Sequence, residues 1–393
     1  MPLRFDMFYT TSAIVFWICV ALLGYVYFGY PLLVYAVSRL FPKKVHRSNI
    51  EPSVTVLITA FNEEKAIRRK LDNTLDIDYP AEKLEILVAS DGSTDRTDEI
   101  VKEYAGRGVK LFRQDGRVGK TETQNRAIAE AAGEIVLFSD ATTEYTQDVL
   151  ERILPAFADD SVGCVAGRLE YVNNDDSNVG KGTQGYWNYE TFLRSAESRA
   201  CSLIGASGCM YAVRRSAYRE MYPEACSDFL ICTVLYRNDL RSVFEPSAVC
   251  FEETNQNTDD EMRMRIRVIS QTLADLVRNA DMLNPFKSGF YAIELISHKA
   301  LRYAVPLMLA GMFISSVVLA ASSPFFFVAS VLQAAFYLSA LVGSILERLD
   351  IRITLLVVPL YFVLANLASV IAFYRFIRGE RYATWEPIRE VRS

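Results

Sequence analysis

Residues 11–37 carry no charged side chain. As a helix rising about 1.5 Å per residue, such a run crosses the roughly 30 Å core of a bilayer. Apolar character returns in three later stretches, about 303–322, 325–346 and 353–374. Between them, about 50–300, the sequence reads as a water-soluble domain. A chain divided this way must fold in two solvents at once, and inside the bilayer only helices or closed barrels satisfy the backbone. The apolar share of 51% belongs to the ends, not to an oversized core.

The first run exceeds a signal-peptide core, and no small-residue cleavage site follows it, so it is expected to be an anchor. Arg39, Lys43, Lys44 and Arg47 come next, which by the positive-inside rule places the soluble domain in the cytoplasm. The expected division is an amino-terminal anchor over 1–48, a soluble domain over 49–300, a membrane region over 301–376 and a basic tail over 377–393. One crossing before the domain and three after it would leave the tail outside. Yet Arg375, Arg378, Arg381, Arg389 and Arg392 favour the inside. Either one apolar stretch is re-entrant or interfacial, or the tail is an exception to the rule.

Within the domain, strand-like runs at 54–59, 84–89, 109–112 and 135–138 alternate with helical patterns at 63–75, 95–104 and 121–132. That alternation predicts an α/β fold with a parallel, doubly wound sheet. Shorter apolar pieces at 162–166, 210–213 and 242–244 predict an added layer. A net charge of −5 gives no basic field for nucleic acid. The seven cysteines form no C-x-x-C pair, which favours free thiols in a reducing compartment. With only His46 and His298, histidine-rich metal chemistry is excluded.

Several polar residues stand at the carboxyl ends of the predicted strands, where α/β sheets bind ligands. Thr59, Phe61, Asn62 and Glu63 close the first strand and open a helix whose N–H groups can face a phosphate; an Asn62 cap is the plainer reading. Asp91, after the second strand, either accepts from a base or ribose or belongs to a helix-capping turn. Asp140 ends a strongly apolar strand and suits a hard cation such as Mg²⁺ or Mn²⁺, with Thr142 two residues on. Asp228 opens a helical run, as a dipole-favoured acid or as a general base. Arg263, Arg265 and Arg267 precede an amphipathic stretch and form either a diphosphate clamp or a solvated face. Trp187 and Tyr189, with Tyr186, can stack on a sugar or simply pack.

Taken in order, these pieces resemble the membrane-embedded, polysaccharide-synthase-like branch of family 2 inverting glycosyltransferases, which includes cellulose, chitin and hyaluronan synthases. The resemblance covers about 50–300 and implies a GT-A, Rossmann-like domain with transmembrane helices on both sides. It implies Mg²⁺ or Mn²⁺ as cofactor and a nucleotide-sugar donor, UDP-linked by expectation. Thr59, Phe61, Asn62 and Glu63 match the first nucleotide-holding motif, Asp91 the base-contacting acid and Lys120 the lysine near the nucleotide. Asp140 matches the first acid of the D-x-D metal motif, Asp228 the catalytic base of T-E-D, and the segment holding Arg265 and Arg267 aligns with Q-x-x-R-W. Four positions depart from the pattern: Thr142 replaces the second metal acid, Ser227 the middle acid of T-E-D, Met264 the glutamine of Q-x-x-R-W, and Val268 the tryptophan that stacks on the acceptor in long-chain synthases.

The implied activity is transfer of a sugar with inversion to a saccharide or lipid-linked acceptor, giving a β-linked cell-surface or exopolysaccharide glycan. Its setting is a bacterial inner membrane, with lipids as neighbours and no nucleic-acid partner. Loss of the tryptophan favours a non-processive transferase acting on a polyprenyl-phosphate or glycolipid. The missing acids leave a catalytically impaired scaffold subunit as a rival from another class.

Overall fold

The computed structural model describes residues 2–172, 178–253, 258–349, 351 and 353–384, and leaves out the side chains of 2–6, 178–187 and 258. Eight strands form one mixed sheet: β1 (Val54–Ala60), β2 (Leu84–Ser90), β3 (Val109–Arg113), β4 (Ile135–Asp140), β5 (Glu144–Tyr145), β6 (Val162–Val172), β7 (Met210–Arg214) and β8 (Arg241–Glu253). Their order is β3-β2-β1-β4-β7-β6-β8-β5. The first four run parallel, as the alternating pattern requires, and β1 is buried along its whole length. Apolar residues cover both faces of the sheet, with Val56, Ile58 and Leu137 on one side and Leu57, Val136 and Phe138 on the other. This two-sided burial explains why these strands read as continuous apolar runs.

Register sets the upper edge. Thr59 pairs with Ala89 on one side and with Asp140 on the other, so the carboxyl ends of three strands finish level. The chain leaves β1 to one side for β2 and β3, then returns to the other side for β4. That reversal opens a crevice beside β1.

The second half of the sheet differs from its expected outline. β6 and β8 run well past 162–166 and 242–244, because they pair with each other through Val172 and Glu253. The helix expected from Glu63 starts instead at Ile67. Asn62 does not cap it. At φ 52° it makes a tight turn, and its Oδ1 accepts from Thr94 N at 2.8 Å, joining the loops after β1 and β2. Arg263, Arg265 and Arg267 lie within one long helix, Thr258–Arg278, rather than before it.

Among the described residues, four helices are long and apolar enough to cross a membrane: Met7–Leu40, Phe290–Leu319, Pro324–Arg348 and Thr354–Ile377. The second begins well before its apolar stretch because its polar residues have partners. His298 contacts Glu197 at 2.7 Å, and Arg302 contacts Glu190 at 3.2 Å. Tyr30 of the first helix also donates to Glu197, at 2.5 Å, so one buried carboxylate fastens two apolar helices to the soluble domain.

The contacts also bear on the topology of the tail. Phe325 stacks on Trp17 at the end remote from the domain, and the helix it opens runs back toward the domain. Gly343 and Leu356 then meet across the next turn. The last apolar helix ends beside the arginine helix, where Ala368 and Ala372 pack on Ile266 and Ile269. Gln271 donates to the Tyr382 carbonyl at 2.7 Å. The tail through Thr384 thus returns to the domain. Arg389 and Arg392 lie outside the described residues. All seven cysteines are buried free thiols.

Candidate active site

Gly208 marks where the site converges. A Cβ built there would lie 3.0 Å from Lys120 Nζ, 3.4 Å from Asp140 Oδ2 and 3.6 Å from Asp228 Oδ2. Residues from three separated segments thus surround one spot at the end of β4. Lys120 and Asp140 form an ion pair there. Burial works against the Lys120 charge, but the charges of Asp140 and Asp228 outweigh it and raise its pKa.

Each functional side chain is held by its neighbours. Asp91 is fully buried and accepts from Val118 N at 2.8 Å, Gly119 N at 3.0 Å and Thr123 Oγ1 at 3.0 Å. It therefore braces the loop that delivers Lys120. Thr59 Oγ1 accepts from Gln124 at 3.3 Å in the same layer. Phe61 lies under the Arg117 guanidinium, 3.9 Å from its carbon to the ring centroid. Glu63 is buried, and its N–H donates to Thr97 at 2.7 Å.

Asp228 sits in the first turn of Ser227–Arg237, where the helix dipole favours a carboxylate. Its Oδ1 accepts from Cys226 Sγ at 3.2 Å, and its main-chain oxygen accepts from Ala206 N at 2.9 Å. Asp275 of the arginine helix accepts from Cys226 N at 3.1 Å and fixes the same turn from below.

The two arginines separate. Burial draws the Arg267 guanidinium below its ordinary pKa, while the nearby charges of Asp140 and Asp228 work the other way. Arg267 thus lies within electrostatic reach of Asp140 and Asp228. Arg265 faces elsewhere and pairs with Glu261 at 2.7 Å, one turn back. Tyr189 packs near Tyr30 and Leu193, with Arg302 5.7 Å from its ring centroid, at the junction with the apolar helices. The side chains of Trp187 and Tyr186 lie outside the described residues. Val268 packs against the cluster containing Phe229 and Ile204.

Four residues of the site escaped the sequence reading. Gly208 and Cys209 sit in an irregular loop with no motif. Lys70 is buried under the turn after Asp140 and donates to Thr143 O at 2.7 Å; burial lowers its pKa to about 7. Glu252 accepts from Thr142 Oγ1 at 3.0 Å and from Cys209 Sγ at 3.1 Å. Burial and then the charge of Asp140 raise its pKa. The Glu252-Glu253 pair ending a strand was the available signal, and it resembles any solvated strand end.

Among the described residues, no group of three His, Cys, Asp or Glu side chains is preassembled to hold a metal ion. The cradle at Gly208 nevertheless presents hard carboxylate oxygens from Asp140 and Asp228. Such a donor set suits Mg²⁺ or Mn²⁺ when a substrate's phosphates complete the shell.

A mixed α/β sheet with acids at its carboxyl edge is the architecture of the GT-A transferases, and comparison with known proteins agrees. Residues 55–222 match the family model described as Glycosyl transferase family 2. The chain is 27% identical over 189 residues to a beta-monoglucosyldiacylglycerol synthase of Nostoc sp., covering 47% of this chain and 40% of that protein. It is 24% identical over 271 residues to the poly-beta-1,6-N-acetyl-D-glucosamine synthase of Staphylococcus epidermidis, covering 67% and 64%. The chain thus spans less than two thirds of the length of these curated relatives. Among solved structures, the fold resembles the mannosyltransferase PcManGT from Pyrobaculum calidifontis in complex with GDP-Man and Mn²⁺. That match has a TM-score of 0.70 and 23% identity, over 93% of this chain and 99% of that one.

Proposed function

We propose that the protein is an inverting glycosyltransferase that moves a sugar from a nucleotide-sugar donor, UDP-linked, to a membrane-associated saccharide or lipid acceptor. The observation that carries this reading is the convergence of Lys120, Asp140 and Asp228 around Gly208. The nucleotide lies over the ends of β1 and β2, against Thr59, Phe61, Asn62 and Glu63, with Asp91 shaping the loop beside it. Lys120 and Arg267 bind the diphosphate, and Asp140 holds the metal. A bound Mg²⁺ or Mn²⁺ supplies Lewis-acid stabilisation of leaving-group charge. Asp228 takes the proton from the acceptor hydroxyl as that oxygen attacks the anomeric carbon. A single in-line displacement inverts the configuration.

The acceptor wall supports single transfer or short products. Val268 offers no aromatic face for a growing chain, and a lipid acceptor has a seat where the apolar helices join the domain. The relative that makes a glucosyldiacylglycerol fits this reading; the polymer-forming relative favours the alternative. The proposed setting is a bacterial inner membrane, with the domain and the tail both cytoplasmic and Thr354–Ile377 lying along the membrane surface. This placement satisfies the arginines of the tail. The test is a screen of UDP- and GDP-sugars with the purified protein, with and without Mn²⁺, for released nucleoside diphosphate. Chromatography of the products follows. No release from any donor would refute transfer, and polymers of hundreds of sugars would refute the short-product reading.

A further inference from the structure

A metal site built on Asp140 alone lacks the second carboxylate of the familiar pair, because position 142 is threonine. In the structure the Thr142 hydroxyl is turned to another task and donates to Glu252 Oε1 at 3.0 Å. Glu252 reaches this place through strand pairing. β5 runs antiparallel to β8 with Glu144 opposite Phe251 and Tyr145 opposite Cys250. The next step of that ladder sets Glu252 beside the turn that leaves Asp140. Its Oε2 accepts from Cys209 Sγ at 3.1 Å. Cys209 directly follows Gly208, the residue around which Asp140, Asp228 and Lys120 gather. Two donors occupy two of the roughly four lone-pair directions of a carboxylate, so Glu252 keeps acceptor capacity within electrostatic reach of Asp140.

We propose that Glu252 supplies the second metal-holding carboxylate of this site, delivered from β8 and oriented by Thr142 and Cys209. The inference rests on the metal-dependent transfer proposed above. It accounts for two observations together. A threonine at position 142 is compatible with a working site, because its hydroxyl now orients the acid it would otherwise have been. A carboxylate enclosed at the edge of the sheet gains a purpose, since oxygen donors are what Mg²⁺ and Mn²⁺ prefer. Glu253, its neighbour, turns outward to an exposed pair with Arg69 at 3.0 Å and serves as the internal control.

The experiment is Mn²⁺ binding to the full chain in detergent, read by the electron paramagnetic resonance signal of free Mn²⁺, with UDP and GDP each added in turn. Glu252→Gln keeps the side chain's size and an oxygen for Thr142 but removes the charge. It is expected to weaken nucleotide-dependent Mn²⁺ affinity by at least about tenfold. Adding Thr142→Asp to Glu252→Gln restores most of that affinity, because the acid returns two residues after Asp140. Glu253→Gln leaves it unchanged. Equal Mn²⁺ affinity in Glu252→Gln and the unaltered protein overturns the proposal. So does a loss that Thr142→Asp fails to restore, which marks Glu252 as a brace. If the unaltered protein binds no Mn²⁺ with either nucleotide, the metal-dependent reading itself falls, and this inference with it.

Discussion

The two halves of the sheet reach the same crevice by different means. In the half formed by β3, β2, β1 and β4, strands alternate with short helices, all pairing is parallel, and register alone brings Thr59 and Asp140 level. In the half formed by β7, β6, β8 and β5, directions are mixed and partners come from distant parts of the chain. There the site residues stand on a loop, a helix start and a strand end: Gly208, Asp228 and Glu252. The first half makes a nucleotide shelf that many chemistries share. In the proposed function, the second half closes the metal shell and admits the acceptor.

If that division holds, acids from the two halves should fail differently. Asp140→Asn, on the shelf side, is expected to abolish turnover together with metal-dependent nucleotide binding, read by calorimetric titration of UDP with Mn²⁺. Asp228→Asn, on the other side, is expected to lower the rate by about 10²–10⁴-fold while nucleoside-diphosphate affinity barely changes. If both variants lose affinity and rate in proportion, the two halves do not divide the labour. A third change probes the seam. Gly208→Ala places a methyl group 3.0 Å from Lys120 Nζ, tighter than an ordinary contact. Displacing reacting groups by about 1 Å can cost about 10²-fold. The variant should therefore fold and anchor normally yet lose about that much activity. Full activity would show that the cradle has slack.

Legibility followed the same seam. The shelf could be read because its signals are local: apolar runs buried on both faces, each followed by a polar turn and a helix. Thr59, Asp91 and Asp140 fell where those runs end, whereas Lys120 was found through the resemblance. Asp228 and Arg267 were found through a resemblance in motif order, not through spacing. Gly208 had no local signal and Glu252 only one that resembles any solvated strand end, because their meaning depends on which strand lies beside β5 and which loop lies over β4. The same reason hid the course of the last apolar helix. Hydropathy registers its length, whereas its direction is set by packing on Ile266 and Ile269 and by the bond from Gln271 to Tyr382.

Helix geometry sharpens the comparison within one element. Arg265 and Arg267 stand two residues apart, so they project about 200° apart around the axis and cannot both face the diphosphate. Arg267 feels the charges of Asp140 and Asp228, whereas Arg265 is occupied by Glu261. Arg267→Lys keeps the charge but loses the fork, and a charge-assisted hydrogen bond contributes about 1.5–3 kcal/mol. A fall in kcat/KM of roughly tenfold or more is expected for Arg267→Lys, against little change for Arg265→Lys. Equal losses would place both arginines on the donor.

The smallest expected effect concerns how the second half is held together. Asp275 lies on the arginine helix, fully enclosed, and accepts hydrogen bonds from Tyr222 Oη and from Cys226 N, two residues before Asp228. Burial raises its pKa from 3.8 to about 7, although the bonds from Tyr222 and Cys226 pull the other way. A carboxyl with a raised folded-state pKa binds its proton more tightly in the folded protein than in the unfolded chain. Its contribution to stability is therefore complete below about pH 4 and is lost as the pH rises through about 7. Asp275→Asn keeps an oxygen for Cys226 N and cannot ionise. In detergent, the variant's thermal midpoint should fall less between pH 5 and pH 8 than that of the unaltered protein, read by scanning fluorimetry. On the shelf, Asp91 instead accepts three donors, all from the segment that carries Lys120. If Asp275→Asn leaves the pH dependence unchanged, the turn carrying Asp228 is held by packing alone, and the two halves are more alike than their electrostatics suggest.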